Sequence, residues 1–376
     1  MSRLHDTWAT STLGEVLNLR YGKALPERSR TGKNYPVFGS NGIVGYHQIP
    51  LTSGETVIVG RKGSIGEVHF SQGSCWPIDT TYFVDEFHGM PARYWLYQLQ
   101  NLGLRSLNRA TAIPGLNRED VYLECIAVPP INEQKRIADK LDSVLGRVDA
   151  CLERLDRVPA IFKRFRQAVL AAATSGKLTE EWRVDIMPVQ KWRTTKVGSL
   201  LTDIRYGTAK KCRYDPKKTP VLRIPNVIDG RINLDDMKHA EFEQGELRKF
   251  ALAAGDILLI RSNGSVGLVG RTALVSEREQ GFLFAGYLIR LRVNQAIARP
   301  AYISLHLMSP KSRVAIERVA RSTSGVNNIN TDEIKGLTIE LPGVEEQDEV
   351  VRRVESLFSY ADQLEARYTA ARDQVE

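Results

Sequence analysis

The sequence contains little cysteine and no long apolar run. Four cysteines occur among 376 residues, and no two of them stand at the spacing of a metal-binding pair. We therefore expect reduced thiols in a reducing compartment and no structural zinc. No apolar run approaches the roughly 20 residues needed to span a bilayer, and residues 1–12 lack the apolar core of a signal peptide. These absences predict a soluble, cytoplasmic protein with no membrane partner.

Motifs of catalysis are also scarce. No glycine-rich loop ends in Gly-Lys-Ser or Gly-Lys-Thr, and Gly32-Lys33-Asn34, which comes nearest, lacks the hydroxyl that would hold magnesium. The six histidines do not pair at metal-ligand spacing. Glycines three residues apart, as at 60, 63 and 66, favour tight β turns, because no strand-helix-strand unit follows them. Binding is favoured over catalysis, and a methyltransferase or nuclease with an unrecognised active site is the alternative.

The basic charge is concentrated in one part of the chain. The formal net charge is +8, and residues 191–341 hold 25 lysines and arginines against 15 aspartates and glutamates. Residues 342–376 are acidic, with 4 basic and 9 acidic residues. A polyanion is a natural partner for the basic region, because neutralised phosphates release counterions. A basic face that only keeps the protein soluble is the alternative.

An internal duplication organises the chain. Landmarks recur in the same order while their offset grows from 184 to 213, which indicates two copies with insertions in the second, at 209–219 and 229–249. The recurring landmarks are Trp8 and Trp192, Arg20-Tyr21-Gly22 and Arg205-Tyr206-Gly207, residues 54–66 and 255–267, and Pro129 and Glu133-Gln134 with Pro342 and Glu346-Gln347. Short β-type runs at 57–59, 67–70 and 81–84 and a helix at 91–104, repeated at 300–316, predict an α+β globule in each copy.

Each copy ends in a predicted long helix, which starts after Pro129-Pro130 and after Pro342. Apolar residues then recur at steps of three and four, the spacing of a coiled-coil seam, so the two helices are expected to pair. The seam residues are Ile137, Leu141, Val144, Val148 and Leu155 in one helix, and Val350, Val354, Leu357, Ala361 and Leu364 in the other. Pro159 should bend the first helix, which resumes to Gly176 before a linker at 177–190.

Polar and basic residues in turns are candidates for DNA contacts. The run Gly60-Arg61-Lys62-Gly63-Ser64 matches Arg261-Ser262-Asn263-Gly264-Ser265, each after a buried strand. Such side chains suit phosphates and base edges, and ordinary solvated turns are the alternative. The candidates are Lys23, Ser40, Asn41, Arg61, Lys62, Ser64, Arg109, Thr111, Lys210, Lys211, Arg213, Arg261, Ser262, Asn263, Ser265, Arg321, Ser324 and Asn327.

Over nearly its whole length the chain resembles the specificity subunit of type I restriction-modification systems. The motifs that carry the resemblance are the run from Pro129 to Gln134 with Ile137, residues 165–179, and the repeated Gly-Ser-Ile/Val-Gly turn. The resemblance implies target recognition domains at 1–128 and 191–341, a helical spacer and linker at 129–190, and a spacer helix at 342–376. It also implies that the two helices form an antiparallel coiled coil.

The resemblance further implies what the chain does. Each recognition domain would read one half of a split, asymmetric site in double-stranded DNA. The subunit would dock adenine-N6 methyltransferase subunits and, with them, the motor-nuclease restriction subunits. S-adenosylmethionine would be bound by the methyltransferase subunits, with no cofactor, metal or catalytic residue on this chain. One departure is that residues 162–183 have no counterpart after the second helix, which puts one docking surface in doubt. A free-standing DNA-binding regulator is a further alternative.

Overall fold

The computed structural model describes residues 7–107, 115–186, 191–320 and 325–374. The chain divides into two compact units, Met1–Glu153 and Arg154–Glu376. The first unit begins with β strands and ends in a long helix. Its strands are β1 Ala9–Thr12, β2 Arg20–Tyr21, β3 Tyr35–Gly39, β4 Gly42–His47, β5 Thr56–Gly60, β6 Val68–Ser71, β7 Trp76–Pro77, β8 Thr81–Val84 and β9 Cys125–Val128. Its helices are α1 Leu13–Val16, α2 Ala92–Asn101, α3 Arg118–Tyr122 and most of α4 Ile131–Asp156.

The second unit contains the end of that helical region and the second copy. Its helices are α5 Val158–Thr174, α6 Glu180–Ile186, α7 Gln244–Phe250, α8 Pro300–Met308, α9 Pro310–Ala320, α10 Thr331–Gly336 and α11 Val344–Asp373. Its strands are β10 Arg193–Lys196, β11 Leu201–Tyr206, β12 Thr219–Leu222, β13 Val227–Ile228, β14 Arg231–Ile232, β15 Lys238–Ala240, β16 Ile257–Ile260, β17 Ser262–Asn263, β18 Thr272–Leu274, β19 Leu283–Phe284, β20 Leu288–Val293, β21 Asn327–Asn328 and β22 Thr338–Leu341.

The sheets of the two units have the same strand order. A four-stranded antiparallel sheet runs β2-β8-β5-β6 in the first unit and β11-β20-β16-β18 in the second. A three-stranded sheet runs β4-β3-β7 and, correspondingly, β15-β12-β19, each with one antiparallel and one parallel pair. The strands β5 and β16 are buried along their whole length because they are central, which explains their uninterrupted apolar composition. The predicted duplication is therefore present in the topology.

The long helix of each copy begins at a corner that the sequence repeats. Trp8 Nε1 donates to Glu133 Oε2 at 3.2 Å, and the buried Gln134 amide donates to Pro129 O at 2.9 Å. The same contacts recur in the second unit, from Trp192 to Glu346 at 3.0 Å and from Gln347 to Pro342 at 2.9 Å. The Glu-Gln pair thus joins the first helical turn to the strands before it. This structural role accounts for the repetition of the motif.

Helix α11 packs against α5 in an antiparallel arrangement. Arg166 Nη2 lies 2.6 Å from Asp362 Oδ1 and 2.8 Å from Glu365 Oε2. Toward one end of the pair, Arg372 meets Asp156 at 3.1 Å. Toward the other, Arg353 donates to Leu178 O at 2.8 Å, and Thr179 donates to Glu346 at 2.7 Å. Residues 156–179 therefore run opposite to residues 346–372.

Three segments differ from their sequence-based description. The helix expected at 300–316 is two helices, because the chain turns at Ser309, before Pro310. The insertion at 229–249 is more than a loop, since it contributes β14 to a hairpin, β15 to a sheet and the helix α7. The linker expected at 177–190 contains α6. One residue, Arg157, separates α4 from α5, and Pro159 lies in the first turn of α5. The bend expected at Pro159 stays a prediction.

Candidate nucleic-acid interface

Arg61 follows the central strand β5 and is fixed at its backbone. Its N–H donates to Thr80 O at 2.9 Å, and its carbonyl accepts from Leu116 N at 2.9 Å. The guanidinium carbon lies 5.0 Å from the centre of the Tyr21 ring. The guanidinium carbon of Arg118 lies at the same distance from that ring, which is 51% exposed. Two cations therefore stack on one accessible aromatic side chain.

Arg261 has the same surroundings at the end of β16. Its N–H donates to Tyr287 O and its carbonyl accepts from Ile329 N, both at 2.9 Å. The guanidinium carbon lies 4.4 Å from the centre of the Tyr206 ring, and Nε donates to Asn328 Oδ1 at 3.2 Å. Each copy thus holds an arginine on a tyrosine of the edge strand β2 or β11 of the same sheet, beside the segment that leads to the long helix.

The backbone bonds correct the way in which the two turns were matched in sequence. The sequence paired Gly63-Ser64-Ile65-Gly66 with Gly264-Ser265-Val266-Gly267. In the structure Gly66 N donates to Gly60 O at 2.8 Å, and the corresponding bond joins Gly270 N to Ile260 O at 2.8 Å. The glycine that corresponds to Gly66 is therefore Gly270. The turn after Arg261 is four residues longer than the turn after Arg61, so the two Gly-Ser motifs are not equivalent.

Some candidates of the first copy lie together in the turns beside the end of β5. The turn at Ser40 and Asn41 touches the turn after β5, because a Cβ added to Gly60 would lie 3.2 Å from Ser40 Cβ and 2.0 Å from Ser64 O. Asn41 and Lys62 are exposed at this junction, and Ser64 is half-buried. The structure thus brings together side chains that are separated by some twenty residues in sequence.

The candidates of the second copy form a small ladder beside Arg261. Ser262 and Asn263 of β17 pair with Asn328 and Asn327 of β21. Asn327 Nδ2 donates to the carbonyl of Gly264 at 2.9 Å, and Asn263 Oδ1 accepts from Ser265 N at 2.9 Å. The Asn263 and Asn327 amides are therefore used partly to shape the turn, which occupies an acceptor of Asn263 and a donor of Asn327.

The other basic candidates lie on separate loops. Lys23 is exposed after β2, and its carbonyl accepts from Trp76 Nε1 at 2.8 Å. Lys210 Nζ lies 2.8 Å from Glu246 Oε2, so its charge is compensated. Lys211 and Arg213 are exposed. The predicted contacts of Arg109, Thr111, Arg321 and Ser324 fall outside the described residues and stay predictions.

Sequence reasoning missed the tyrosines of the interface. Tyr21 and Tyr206 belong to the repeated Arg-Tyr-Gly motif, whose glycine is required because a Cβ on Gly22 or Gly207 would lie 2.0 or 2.2 Å from a carbonyl oxygen of the neighbouring chain segment. That repetition was a usable signal. Tyr287, which is 64% exposed, had none, because it lies in a part of the second copy without a recognised match.

Other arginines of the second copy are neutralised inside the fold. Asp203 accepts hydrogen bonds from Arg205 and from the buried Arg290, and the bond from Arg205 is the main cause that lowers the pKa of the Asp203 carboxyl. Arg292 meets the buried Asp256 at 2.7 Å. By contrast, within the described part of the chain neither Arg61 nor Arg261 is paired with a carboxylate. Both guanidinium groups are therefore available to an anion.

The predicted seam residues lie in different environments. On α4, Ile137 packs against the first core, Leu141 and Leu155 are partly buried, and Val144 and Val148 are 42% and 40% exposed. On α11 the predicted seam residues are covered: Val350, Val354 and Ala361 are buried, and Leu357 and Leu364 are partly buried. Within the second unit it is α5 that packs on α11.

The described residues contain no group of three His, Cys, Asp or Glu side chains that could hold a metal ion. No described helix is both long and apolar enough to cross a membrane.

The sequence family described as type I restriction modification DNA specificity domain matches residues 5–155 and 190–371.

The chain belongs to this specificity-domain family. It is 37% identical to the type I restriction enzyme EcoKI specificity subunit of Escherichia coli (strain K12) over 286 residues, which cover 76% of this chain and 61% of that subunit. It is 31% identical to the EcoBI specificity subunit of Escherichia coli over an alignment of 402 positions, which covers 98% of this chain and 83% of that subunit. The match thus spans about six tenths of the EcoKI subunit.

Solved structures of specificity subunits share the fold. The HsdS subunit from Thermoanaerobacter tengcongensis matches with a TM-score of 0.60 at 17% identity, over 97% of this chain and 92% of that chain. A chain from a study of assembly and conformational transition in the type I R-M system matches with a TM-score of 0.63 at 16% identity, over 100% and 96%. The predicted fold class is confirmed. The predicted membership among specificity subunits, and not among catalytic subunits, is confirmed by the family match and the relatives above.

Proposed function

We propose that this specificity subunit reads a bipartite, asymmetric site in double-stranded DNA. Each recognition domain reads one half of the site through the turns that follow β5 and β16. The observation that carries the proposal is the repeated arginine frame, which is alike in the two units and is surrounded by unlike side chains. A shared frame with different neighbours suits two readers of different base sequences. The excess of basic residues in 191–341 supports a polyanionic ligand.

The subunit also docks catalytic partners in this proposal. Adenine-N6 methyltransferase subunits bind its helical part, and motor-nuclease restriction subunits join through the assembled complex. S-adenosylmethionine belongs to the methyltransferase subunits. The domain boundaries at 128, 190 and 341 and a cytoplasmic location are part of the same proposal.

Mapping of methylated adenines tests the proposal. The chain is expressed with the methyltransferase subunits of its own system in a host that lacks adenine methylation, and all methylated positions are sequenced. We expect one split motif with two different halves, which disappears when this chain is left out. Methylation of a continuous motif, or of the same motif without this chain, would contradict the proposal.

A second experiment addresses the alternatives. The purified chain alone is incubated with DNA, labelled S-adenosylmethionine and magnesium. Transfer of label or cleavage would identify an enzyme in place of a recognition subunit. A free-standing regulator would bind its specific site equally tightly with and without partners, whereas a specificity subunit gains affinity when the methyltransferase subunits are added.

A further inference from the structure

Arg61 and Arg261 occupy equivalent positions in domains that read different base sequences. Each has an N–H bonded to the carbonyl before a central strand and a carbonyl bonded to the segment before the long helix, with all four distances at 2.9 Å. Each guanidinium stacks on a tyrosine, at 5.0 Å in the first copy and 4.4 Å in the second. The two side chains are therefore presented in the same way by the same framework.

Both guanidinium groups keep donors and charge for a ligand. Stacking uses the faces of the planar group and leaves its N–H edges accessible. Among the described residues, Arg61 donates one hydrogen bond, from Nη1 to Asp79 O at 3.1 Å, and Arg261 donates one, from Nε to Asn328 Oδ1 at 3.2 Å. No described carboxylate pairs with either cation. Each therefore has several donors left on an uncompensated positive charge.

A contact that is the same in both domains suits the part of DNA that is the same everywhere. Phosphates are identical at every base pair, and contacts to them fix the register of a protein without reading sequence. Base edges differ, so readers of two different half-sites need different side chains. The repeated arginines fit the first role, and the residues that differ next to them fit the second.

One position that differs beside this frame is the residue whose carbonyl accepts from the arginine N–H. It is Thr80 in the first copy and Tyr287 in the second, where the preceding residue is Gly286 in place of Asp79. The Tyr287 side chain is 64% exposed, and it stacks on no other ring or cation among the described residues. An exposed aromatic ring next to a cation that binds phosphate is placed to contact thymine methyl groups or base faces.

We infer that Arg61 and Arg261 bind DNA phosphates in the two half-sites, whereas Tyr287 contacts bases in the half-site of the second domain. This inference rests on the proposed DNA-reading function. It assigns phosphate binding to two residues and base contact to a third. The candidates predicted from the sequence were not divided in this way.

The test uses the full chain with the proteins that co-purify with it, and a pool of randomised double-stranded DNA. Sequences enriched by the parent define both half-sites, and affinity for the best duplex is then measured from 50 to 200 mM salt. For Arg61→Gln and Arg261→Gln we expect unchanged enriched sequences and a slope of log affinity against log salt that is smaller by about 0.9, the value for one phosphate contact. Arg261→Lys should keep the parent slope, because the charge remains. Arg193→Gln removes the same charge from an exposed position of β10, which pairs with β22 and not with the strands beside these turns, and should leave the slope unchanged.

Tyr287→Thr gives the second domain the residue of the first. We expect an unchanged salt slope and a preference at one or two base pairs of one half-site that falls by roughly 5- to 150-fold, the range for a lost base contact. Thermal melting shows whether each variant is folded. Relaxed base preference in the arginine variants, or an unchanged preference for Tyr287→Thr, would overturn the inference while leaving the proposed function intact. No enrichment of any sequence by the parent would overturn the proposed function and the inference together.

Discussion

His306 shows how burial fixes the protonation of one side chain. It is 1% exposed in the second core, its Nε2 accepts from Glu340 N at 3.2 Å, and its Nδ1 lies 3.0 Å from Ser312 Oγ. Burial lowers the pKa of the imidazole to about 4, and the nearby Lys311 acts in the same direction. The unfolded chain takes up this proton near pH 6.5. Folding free energy is therefore lost as the pH falls from about 6.5 toward 4.

The pH dependence of unfolding tests this. Between pH 7 and pH 5 the His306 contribution should lower the free energy of unfolding by about 2 kcal/mol. In His306→Gln, which keeps an acceptor for Glu340 N and does not titrate, this part of the loss should disappear. Urea unfolding of parent and variant at both pH values measures the difference. Equal losses in the two proteins would show that His306 already carries a proton or that its pKa is not lowered.

The two buried glutamines offer a matched pair. The Gln347 amide donates to Pro342 O and accepts from Arg299 N at 2.7 Å, whereas Gln134 donates to Pro129 O and its Oε1 has no hydrogen-bond partner among the described residues. Gln347→Ala breaks two more hydrogen bonds than Gln134→Ala, those with Arg299 N and, at 3.4 Å, with Ile297 O, so it should cost about 1 to 2 kcal/mol more. Denaturant unfolding of both variants gives the two values. A larger loss for Gln134→Ala would show that burial of the unpaired oxygen is not as described.

At the scale of elements, α11 should be sensitive to side-chain size on one face. Ala361 is 2% exposed and precedes Asp362, whose carboxylate meets Arg166 of α5. Ala361→Leu adds volume to this packed face and should cost about 1 to 3 kcal/mol. Ala366→Leu makes the same change at an exposed position of the same helix and should have an effect within about 0.5 kcal/mol. Thermal unfolding distinguishes the two, and equal effects would contradict the packing of α11.

The apolar stripes identified the helices, and the two stripes were expected to cover each other. Steps of three and four mark a face that is to be covered, and several helices in one chain can cover it. The C-terminal stripe is covered by α5, which the sequence predicts as the continuation of the central helix. In the α4 stripe, Val144 and Val148 keep about four tenths of their surface exposed. The spacing of apolar residues does not say which helix covers a stripe, so the packing of α5 on α11 is visible only in the tertiary structure.

At the scale of the molecule, the helical region is proposed to act as a ruler between the half-sites. The 26 positions from Glu133 to Val158 correspond to about 39 Å at 1.5 Å per residue. This equals roughly 11 base pairs, or one turn of DNA. The half-sites should therefore lie on the same face of the duplex and be read in inverted orientation.

A four-residue insertion after Leu145 tests the ruler. It adds about 6 Å and approximately one helical turn, at a point where Leu145 is 41% exposed. The half-sites should move apart by one or two base pairs while each half-sequence stays the same. Maps of methylated adenines for variant and parent give the spacing. The same insertion after Ala168 lies inside the packed pair of α5 and α11 and should lower stability instead. An active Leu145 variant with an unchanged spacer would contradict the ruler.

The duplication, the α+β class and the start of each long helix follow from the sequence alone. They depend on features that are local in the chain, such as the alternation of apolar residues and the Glu-Gln pair at Glu133 and Glu346. Repetition of landmarks in order is equally visible without a structure. The frame of Arg61 and Arg261 was only partly visible, because the matching turns differ in length and sequence alone paired the wrong glycines.

The tertiary structure decided which of the candidate side chains share a surface. Ser40 lies beside Gly60 and Gly63, and Asn328 contacts Arg261, because strand pairing brings together segments that are far apart in sequence. It also decided which arginines are free to bind an anion, since Asp203 and Asp256 neutralise Arg290 and Arg292 within the fold. Such pairings depend on distances between residues on different strands, and the spacing of residues along one chain does not contain those distances.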